Sequence, residues 1–561
     1  MEKRLLLAAV LSVGVLFLWQ AVAERVSPRP ARAPTIVPSP SPQHAGQTPA
    51  PEDVPPVNPA SAPAPPGQAQ AAAPAVAAAA EETSLLENDK VRATFSNRGA
   101  VLASYVLLHH TDAQGHPLEL VRQLPPPAPR PLALQFPDRP ELTDRVAQAL
   151  FLTEKLPAQT LKFRYSDGTL SVEKEVHLDR GYLFDVHTRV SGGVPYALLV
   201  GTGLRNASDQ EKASQYSPPA AALATSGSGF ERASAEKLEK PRTWPLAPNG
   251  FAGLEDNYFL AVFLPKQPAT AVAVPVPGVV PAAPGRDGAP GKPVPLITAG
   301  VTATGALDAR AYFGPKDVEV LESAHLGLER TVDFGWYGIL ARPLLWLLKR
   351  TYTWVGNYGL AILIVTLAIR IVLFPLMHKS YASMKKMQKM APKMNAIRDK
   401  YKKAKTDTAQ RQKMNEEIMK LYQAEGHNPM SGCFPVLLQL PVLVAFYNVL
   451  SRSIELRHAP FVLWIRDLSA VDHTYVLLIL MIVSMYVQQA MTPTTADPTQ
   501  KKIFMAMPLL WGFFLKDMPS GLVLYWLFSN VLTIFQQMII NRMSSGGEPA
   551  PAPKEFRQAR A

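Results

Sequence analysis

Residues 360–376 read LAILIVTLAIRIVLFPL, and this run indicates the class of the whole chain. About 20 apolar residues form a helix long enough to cross a bilayer, so the run predicts a membrane-spanning helix over residues 358–377. Arg370 is its only charged residue. A charge at that depth costs roughly 2.5 to 3.5 kcal/mol on insertion scales, so we expect Arg370 to face water or polar groups.

More apolar segments lie on both sides of this one. Those that follow predict four further spans, at residues 433–450, 475–491, 503–515 and 521–540. Only residues 516–519 separate the last two, which predicts a tight helical hairpin. Residues 1–24 hold an apolar run behind Lys3 and Arg4, which predicts an N-terminal transmembrane anchor and a total of six spans. The alternative is a cleaved signal peptide, because AVA at 21–23 fits a cleavage site.

A soluble region separates the anchor from the other spans. Residues 25–83 are mostly Pro and Ala with few aromatic side chains, which predicts a disordered linker. Within residues 84–328, the segment 91–96 alternates apolar and polar side chains as a half-buried strand does. The Asp-Gly pair at 167–168 lies between two such segments and indicates a two-residue hairpin turn. Residues 84–328 are therefore predicted to form a β-rich domain.

Residues 329–350 form an aromatic-rich segment that ends in Lys349 and Arg350. Polar residues and Pro343 interrupt its apolar pattern too often for a membrane-spanning helix. We therefore expect an amphipathic helix that lies at the membrane interface, before a five-span core over residues 351–541.

The distribution of cations predicts the orientation, because Lys and Arg are retained on the cytoplasmic side. The loop 378–432 carries 13 Lys or Arg against 5 Asp or Glu, whereas the loop 452–472 carries only three cations. The first loop is therefore predicted to be cytoplasmic, together with both termini and a basic tail at 542–561. Residues 25–335 are predicted to lie on the opposite side.

Arg370 has no acidic partner within the predicted spans, since none of the five later spans contains Asp or Glu. Uncharged polar residues are present instead, and four on the last span recur at spacings that place them on one helical face. This pattern predicts a hydrated groove; the alternative is an Arg that snorkels or locks two helices together. The predicted groove residues are Arg370, Thr366, Gln439, Gln489, Tyr525, Ser529, Thr533 and Gln536.

The cytoplasmic loop is predicted to form two helices packed as a hairpin. Pro392 suits the first turn of one helix, and Asp407 with Gln410 resembles a capping box at the start of another. Methionines beside positive charge suit the capture of varied apolar partners, although a basic hairpin that rests on anionic lipid is an equal alternative. The methionines expected to face clients or the ribosome are Met384, Met387, Met390, Met394, Met414 and Met419.

Several short motifs resemble the YidC/Oxa/Alb family of membrane protein insertases, and the resemblance extends over most of the chain. They are YFGPK at 312–316, VGNYG at 355–359, NPMSGCFP at 428–435, QLP at 439–441, WIRDLS at 464–469, PTT at 493–495 and PSGLVLY at 519–525. The resemblance implies that Arg370 is the groove arginine and that Thr366, with Tyr525 or Trp526, contacts substrate. It also implies an uncleaved first span, an inner-membrane location and a periplasmic β-sandwich like those of mutarotases.

The sequence thus predicts a polytopic α-helical membrane protein with six spans, five of them forming the insertase core, and a large periplasmic β-sandwich domain. We expect an insertase and chaperone for membrane proteins, not an enzyme, that acts alone or with the Sec translocon. The resemblance implies nascent membrane proteins, the ribosome, signal-recognition machinery and the phospholipid bilayer as partners. The single cysteine, Cys433, excludes an intrachain disulfide, and no motif suggests a metal, another cofactor or nucleic-acid recognition.

Two other functions remain as alternatives. A secondary transporter would ordinarily have titratable carboxylates or histidines inside its spans, and the predicted spans contain none. A membrane-tethered carbohydrate-binding protein would act through the soluble domain alone, and sugar chemistry there would need paired carboxylates.

Overall fold

The computed structural model describes residues 74–205, 220–227, 229–280, 294–401, 407–425, 434–492 and 498–545. Several predictions fall outside these residues: the anchor at 1–24, the linker as far as residue 73, and the tail beyond 545. Cys433 and the PTT motif at 493–495 are outside them as well.

The region before residue 316 folds into three antiparallel sheets. The first contains β1 (Thr83–Glu87), β2 (Val91–Ser96), β3 (Val101–Thr111) and β4 (Pro117–Glu119) in that spatial order. The second has the order β13 (Arg242–Pro245), β16 (Thr270–Val280), β17 (Val294–Thr304), β10 (Pro195–Thr202) and β5 (Leu134–Gln135).

The third sheet has nine strands, and its strands β14 and β15 contact β17 of the second sheet. Its spatial order is β12 (Gly229–Ser234), β11 (Ala221–Ser226), β14 (Ala252–Glu255), β15 (Phe259–Pro265), β18 (Ala306–Pro315), β9 (Leu183–Val190), β8 (Ser171–Leu178), β7 (Thr160–Ser166) and β6 (Leu152–Leu156). A short helix, α1 (Pro140–Gln148), follows β5.

The strand predicted at 91–96 is confirmed as β2, with Val91, Ala93 and Phe95 buried. The hairpin around 167–168 is also confirmed, but its turn is longer than predicted. Ser166 pairs with Ser171, so four residues form the loop. The Asp167 carboxylate accepts hydrogen bonds from the amides of Thr169 and Leu170, each at 2.8 Å, and this closes a wider turn than an Asp-Gly pair alone implies.

The soluble domain begins before residue 84, which corrects the predicted end of the linker. Val76 and Ser166 exchange backbone hydrogen bonds of 2.9 and 2.8 Å, and the Ala78 amide donates to Leu150 O. A segment rich in Ala therefore adds to the sheet through its backbone, a contact that side-chain composition does not reveal.

A lysine occupies an inward-facing position of β8. Lys174 is fully buried, and its Nζ donates to the carbonyl oxygens of Gly99, Ala100 and Leu132 at 2.7 to 3.0 Å. Burial lowers the pKa of Lys174 to about 7. The three carbonyl acceptors satisfy all three ammonium donors, so this cation joins neighbouring loops inside the domain.

The region after residue 316 is helical. Its helices are α2 (Val318–Ser323), α3 (Gly338–Val355), α4 (Tyr358–Lys389), α5 (Ala391–Lys400), α6 (Thr408–Ala424), α7 (Phe434–Arg452), α8 (Val476–Met491), α9 (Pro498–Leu515) and α10 (Ser520–Ser545). Among the described residues, α4 and the Ser520–Arg542 part of α10 have the length and apolar composition of a membrane span, and Val476–Met491 and Phe504–Leu515 are shorter apolar helices.

Two boundaries differ from the sequence prediction. Helix α4 is not interrupted at Pro375 and continues past residue 377, the predicted end of its span, to Lys389, so the hairpin expected at 378–432 begins as an extension of this helix. Helix α3 begins at Gly338 and continues to Val355, later than the predicted segment 329–350. Within the hairpin, Pro392 in the first turn of α5 and Asp407 as the N-cap of α6 are confirmed.

Helix α3 is amphipathic, as predicted. Ala341, Leu344 and Leu348 face α4 and α7, while Trp336 just before the helix is 87% exposed and Trp346 on it is 65% exposed. A helix with one apolar face packed on a bundle and bulky apolar side chains left outside is typical of a membrane interface.

Candidate functional site

A narrow cleft lies between α4, α7 and α10. Its walls combine apolar side chains with a few polar ones. The lining residues are Thr366, Ile369, Arg370, Leu373 and Met377 from α4, Leu438, Gln439 and Val442 from α7, and Tyr525 from α10.

Arg370 projects into this cleft and hydrogen-bonds two uncharged side chains. Its Nη2 donates to Gln439 Oε1 at 3.1 Å and to Ser529 Oγ. Gln439 Nε2 in turn donates to Ser529 Oγ at 2.9 Å. These three residues come from three different helices, so the sequence prediction that Arg370, Gln439 and Ser529 lie together agrees with the geometry.

The charge of Arg370 has no counterion in the described part of the chain. Among the described residues, no carboxylate oxygen lies within salt-bridge distance of its guanidinium, and only hydroxyl and amide oxygens accept from it. Neutral acceptors stabilise a cation without cancelling its charge. The cleft therefore presents a positive potential between apolar walls.

Tyr525 and Trp526 occupy different environments. The Tyr525 ring lines the cleft and stacks on Phe446 with centroids 4.2 Å apart. Its hydroxyl lies near Gln439 and Ser529. Trp526 is half-buried against Trp511 of α9, at 5.4 Å between centroids. Of the two alternatives left open by the sequence, Tyr525 is the residue that the geometry places beside Arg370.

The rest of the predicted stripe contributes less directly. The hydroxyl groups of Thr366 and Thr533 donate to carbonyl oxygens of their own helices, at 2.6 and 2.8 Å. Gln536 is buried, and its Nε2 has no hydrogen-bond partner among the described residues. Gln489 is half-buried near the end of α8 and does not line the cleft.

A second set of polar contacts, between α8 and α10, was not predicted from the sequence. Asn530 Nδ2 donates to Ser484 Oγ at 3.1 Å, and Gln537 Nε2 donates to Thr492 Oγ1 at 3.2 Å. Asn530 and Gln537 are seven residues apart, which places them on one face of α10. That spacing is the sequence signal from which these contacts could have been predicted.

Four of the six predicted client-facing methionines are buried. Met387, Met390 and Met394 form a small core with Tyr422, and Met384 packs beside Tyr381. This placement differs from the expected outward orientation, because methionine side chains fill the space between closely packed helices. Met414 is half-buried, and Met419 is 49% exposed.

The junction between the β-domain and the helices contains a group of charges that the sequence did not predict. Lys349 Nζ on α3 lies 3.5 Å from Asp317 Oδ1, 3.0 Å from Glu319 Oε1 and 3.1 Å from Glu455 Oε1. Asp317 and Glu319 belong to the start of α2, whereas Glu455 follows α7. One lysine therefore joins three separate parts of the chain.

The titration of this charge group follows from burial and from its neighbours. Burial alone lowers the pKa of Lys349, but attraction to Glu455 and Asp317 outweighs it and raises that pKa well above its ordinary value. Burial and the Asp317 carboxylate raise the pKa of Glu455, although Lys349 opposes them.

A metal site has no ligand set in the described part of the chain. Among the residues that the structure describes, no group of three or more His, Cys, Asp or Glu side chains is placed to hold a metal ion.

Two family models match the chain. Residues 84–347 match the YidC periplasmic domain, and residues 350–547 match the 60Kd inner membrane protein.

Sequence relatives give the same family name. The membrane protein insertase YidC of Syntrophus aciditrophicus is 35% identical over 97% of this chain and all of its own length. That of Geobacter sulfurreducens is 51% identical over 43% of this chain and 45% of its own length. A crystal structure of an active YidC insertase aligns at 18% identity over 82% of this chain and 93% of its own, with a TM-score of 0.36, so the assignment depends on the sequence matches. The chain belongs to the YidC family of membrane protein insertases.

Proposed function

We propose that this chain inserts membrane proteins into the inner membrane by receiving their polar segments in the cleft around Arg370. The observation that carries the proposal is a guanidinium charge between apolar helices that no carboxylate among the described residues neutralises. A polar or acidic client segment that enters the cleft leaves water, but there it contacts Arg370, Gln439 and Ser529 and not hydrocarbon. The apolar helix of the client then moves sideways into lipid.

Short helices would lower the remaining barrier. Helix α8 has 16 residues, which span about 24 Å, less than the ~30 Å hydrocarbon core of a typical bilayer. The apolar part of α9, Phe504–Leu515, is shorter still. A bilayer that thins around such helices shortens the distance over which a client segment lacks water.

The proposed orientation has six spans, with both termini and the α5–α6 hairpin in the cytoplasm and the β-domain in the periplasm. The 13 cations of residues 378–432 support it. Protease added to spheroplasts should cut the β-domain and spare the hairpin, and cleavage of the hairpin from outside intact cells would overturn the orientation. The Sec translocon, the ribosome and the signal-recognition machinery are proposed as partners on family grounds.

The insertion activity is tested with the purified chain in liposomes and a single-span client whose translocated segment is acidic. Protection of that segment from added protease measures insertion, and Arg370→Ala should reduce it strongly. Lys379→Ala is a matched control, because Lys379 is an exposed cation nine residues further along the same helix. Equal losses in both variants would show that the effect is general electrostatics and not the cleft.

The same preparation separates the alternative functions. A secondary transporter would support solute uptake without a client, and a carbohydrate-binding protein would retain ligand through the β-domain alone. Insertion without either activity supports the proposal, whereas solute uptake without insertion would contradict it.

A further inference from the structure

The connection between α7 and α8 contains a small apolar turn, residues 461–465. The Phe461 amide donates to Ile465 O at 2.9 Å, and the Ile465 amide donates to Val462 O at 3.1 Å. These bonds close the turn and leave two of its apolar side chains outside: Leu463 is 84% exposed and Val462 is 46% exposed. We call residues 461–465 the apolar turn.

The backbone of this turn is unusual for its sequence. Leu463 has φ = 57°, in the left-handed region that side chains with a Cβ rarely adopt. A turn that only had to reverse the chain in water would suit Gly or Asn there. A leucine in that conformation, almost fully exposed, points to a contact outside this chain that uses the side chain.

The apolar turn is held against the first turn of α4. Asn357 Nδ2 donates to Phe461 O at 3.1 Å, and a Cβ built on Gly359 would lie 2.0 Å from the Phe461 ring. Gly359 is therefore required for this close approach. Tyr358, between them, stacks on Tyr352 of α3 with centroids 4.0 Å apart. The turn and α3 thus meet at the same end of the same spanning helix.

Hydrogen bonds fix the base of the turn, so the turn cannot move to bury its apolar side chains against the rest of the chain. The Leu468 amide donates to Ala459 O at 2.9 Å, and the Gly521 amide at the start of α10 donates to Leu468 O at 2.9 Å. The Asp467 carboxylate also accepts from the amides of His458 and Ser469.

We infer that the apolar turn is buried in lipid, at the boundary between headgroups and acyl chains of the outward-facing leaflet. The exposed apolar side chains of α3 and the turn both lie near the first residues of α4, so together they would anchor this end of the helix at a fixed depth. Lipid fits better than a protein partner because Leu360 and Ile364, in the first two turns of α4, are exposed apolar side chains as well. The exposed Arg466 next to the turn suits phosphate headgroups. This inference does not depend on how clients use the cleft.

A spin label at Leu463 tests it directly. The only native cysteine is replaced by Cys433→Ser, and Leu463→Cys carries a nitroxide label in proteoliposomes of the full-length chain. Power saturation compares the accessibility of the label to oxygen, which partitions into lipid, with that to a water-soluble nickel chelate. Val372→Cys serves as the bilayer reference, because Val372 is an exposed side chain within α4, and Asp144→Cys on the β-domain serves as the aqueous reference.

The label at 463 should show an oxygen-to-nickel ratio between the two references and clearly above that of Asp144→Cys. A label at Val462→Cys should give a similar ratio, which guards against a distortion caused by the label at one site. Ratios equal to the aqueous reference at both positions in client-free vesicles would overturn the inference, and would indicate a turn that is free or reserved for a protein partner.

Discussion

Lys349 and Arg370 are both cations on the helical part of the chain, but their surroundings are opposite. Lys349 at the domain junction has three carboxylates within 3.5 Å. Arg370 in the cleft donates only to Gln439 and Ser529 among the described residues. Three carboxylates neutralise a cation and make it part of the architecture, whereas neutral acceptors hold a cation in place and leave its charge available to a ligand.

The comparison predicts opposite outcomes for the same substitution at the two positions. Arg370→Met should reduce insertion of an acidic client by about tenfold or more, because a hydrogen bond to a charged group contributes roughly 1.5–3 kcal/mol. Thermal stability should change little, since Gln439 still donates to Ser529. The measurements are protease protection in proteoliposomes and a melting curve in detergent. A large fall in melting temperature with normal insertion per folded molecule would show that Arg370 stabilises the fold and does not act on clients.

Lys349→Met should instead destabilise the fold. It leaves Glu455 buried beside Asp317 without its cation, and breaking a buried pair costs roughly 3–5 kcal/mol, of which we expect the lower end for a partly hydrated group. The melting temperature should fall, while insertion per folded molecule stays near normal. If Lys349→Met melted like the unmodified chain, the junction charges would not hold the domains together.

A finer comparison concerns the adjacent aromatic residues of α10. Tyr525→Ala should lower insertion severalfold more than Trp526→Ala, because Tyr525 lines the cleft and Trp526 packs against Trp511. The control is the melting temperature, since Trp526→Ala should lose packing against α9. A larger insertion defect in Trp526→Ala at equal folded yield would place the client on the opposite face of α10.

The smallest predicted effect is the pH dependence of the junction. Because the folded-state pKa of Glu455 is raised, its contribution to stability is fully present below its ordinary value of 4.5 and is lost as pH rises through the folded pKa. The melting temperature of the unmodified chain, relative to Glu455→Gln, should therefore increase as pH falls from about 7.5 to about 5. An opposite trend would mean that the attraction of Lys349 outweighs burial.

The sequence predicted what depends on local pattern. The apolar runs and the cation-rich loop are visible in the sequence itself. The spacing of Tyr525, Ser529 and Thr533 indicated one helical face, because helices repeat every 3.6 residues. Alternation likewise revealed β2. The absence of acidic residues from the predicted spans was enough to single out Arg370 from the sequence alone.

What the sequence did not predict depends on contacts between distant segments. Lys349 and Glu455 are 106 positions apart, and nothing in either local pattern links them. Lys174 occupies an inward-facing strand position that alternation would assign to an apolar residue. The hairpin methionines look like a partner surface in sequence, yet whether a thioether faces inward or outward depends on how closely α4, α5 and α6 pack.

The central claim, that Arg370 acts through its charge, is tested by insertion rates for clients with translocated segments of graded acidity. The unmodified chain, Arg370→Lys and Arg370→Ala are compared per folded molecule. Because a single guanidinium nitrogen makes both hydrogen bonds, a lysine can take over much of the role, so Arg370→Lys should keep most of the dependence on client acidity while Arg370→Ala loses it. If Arg370→Ala inserted every client at the normal rate per folded molecule, the account would be contradicted and Arg370 would be a helix-packing residue.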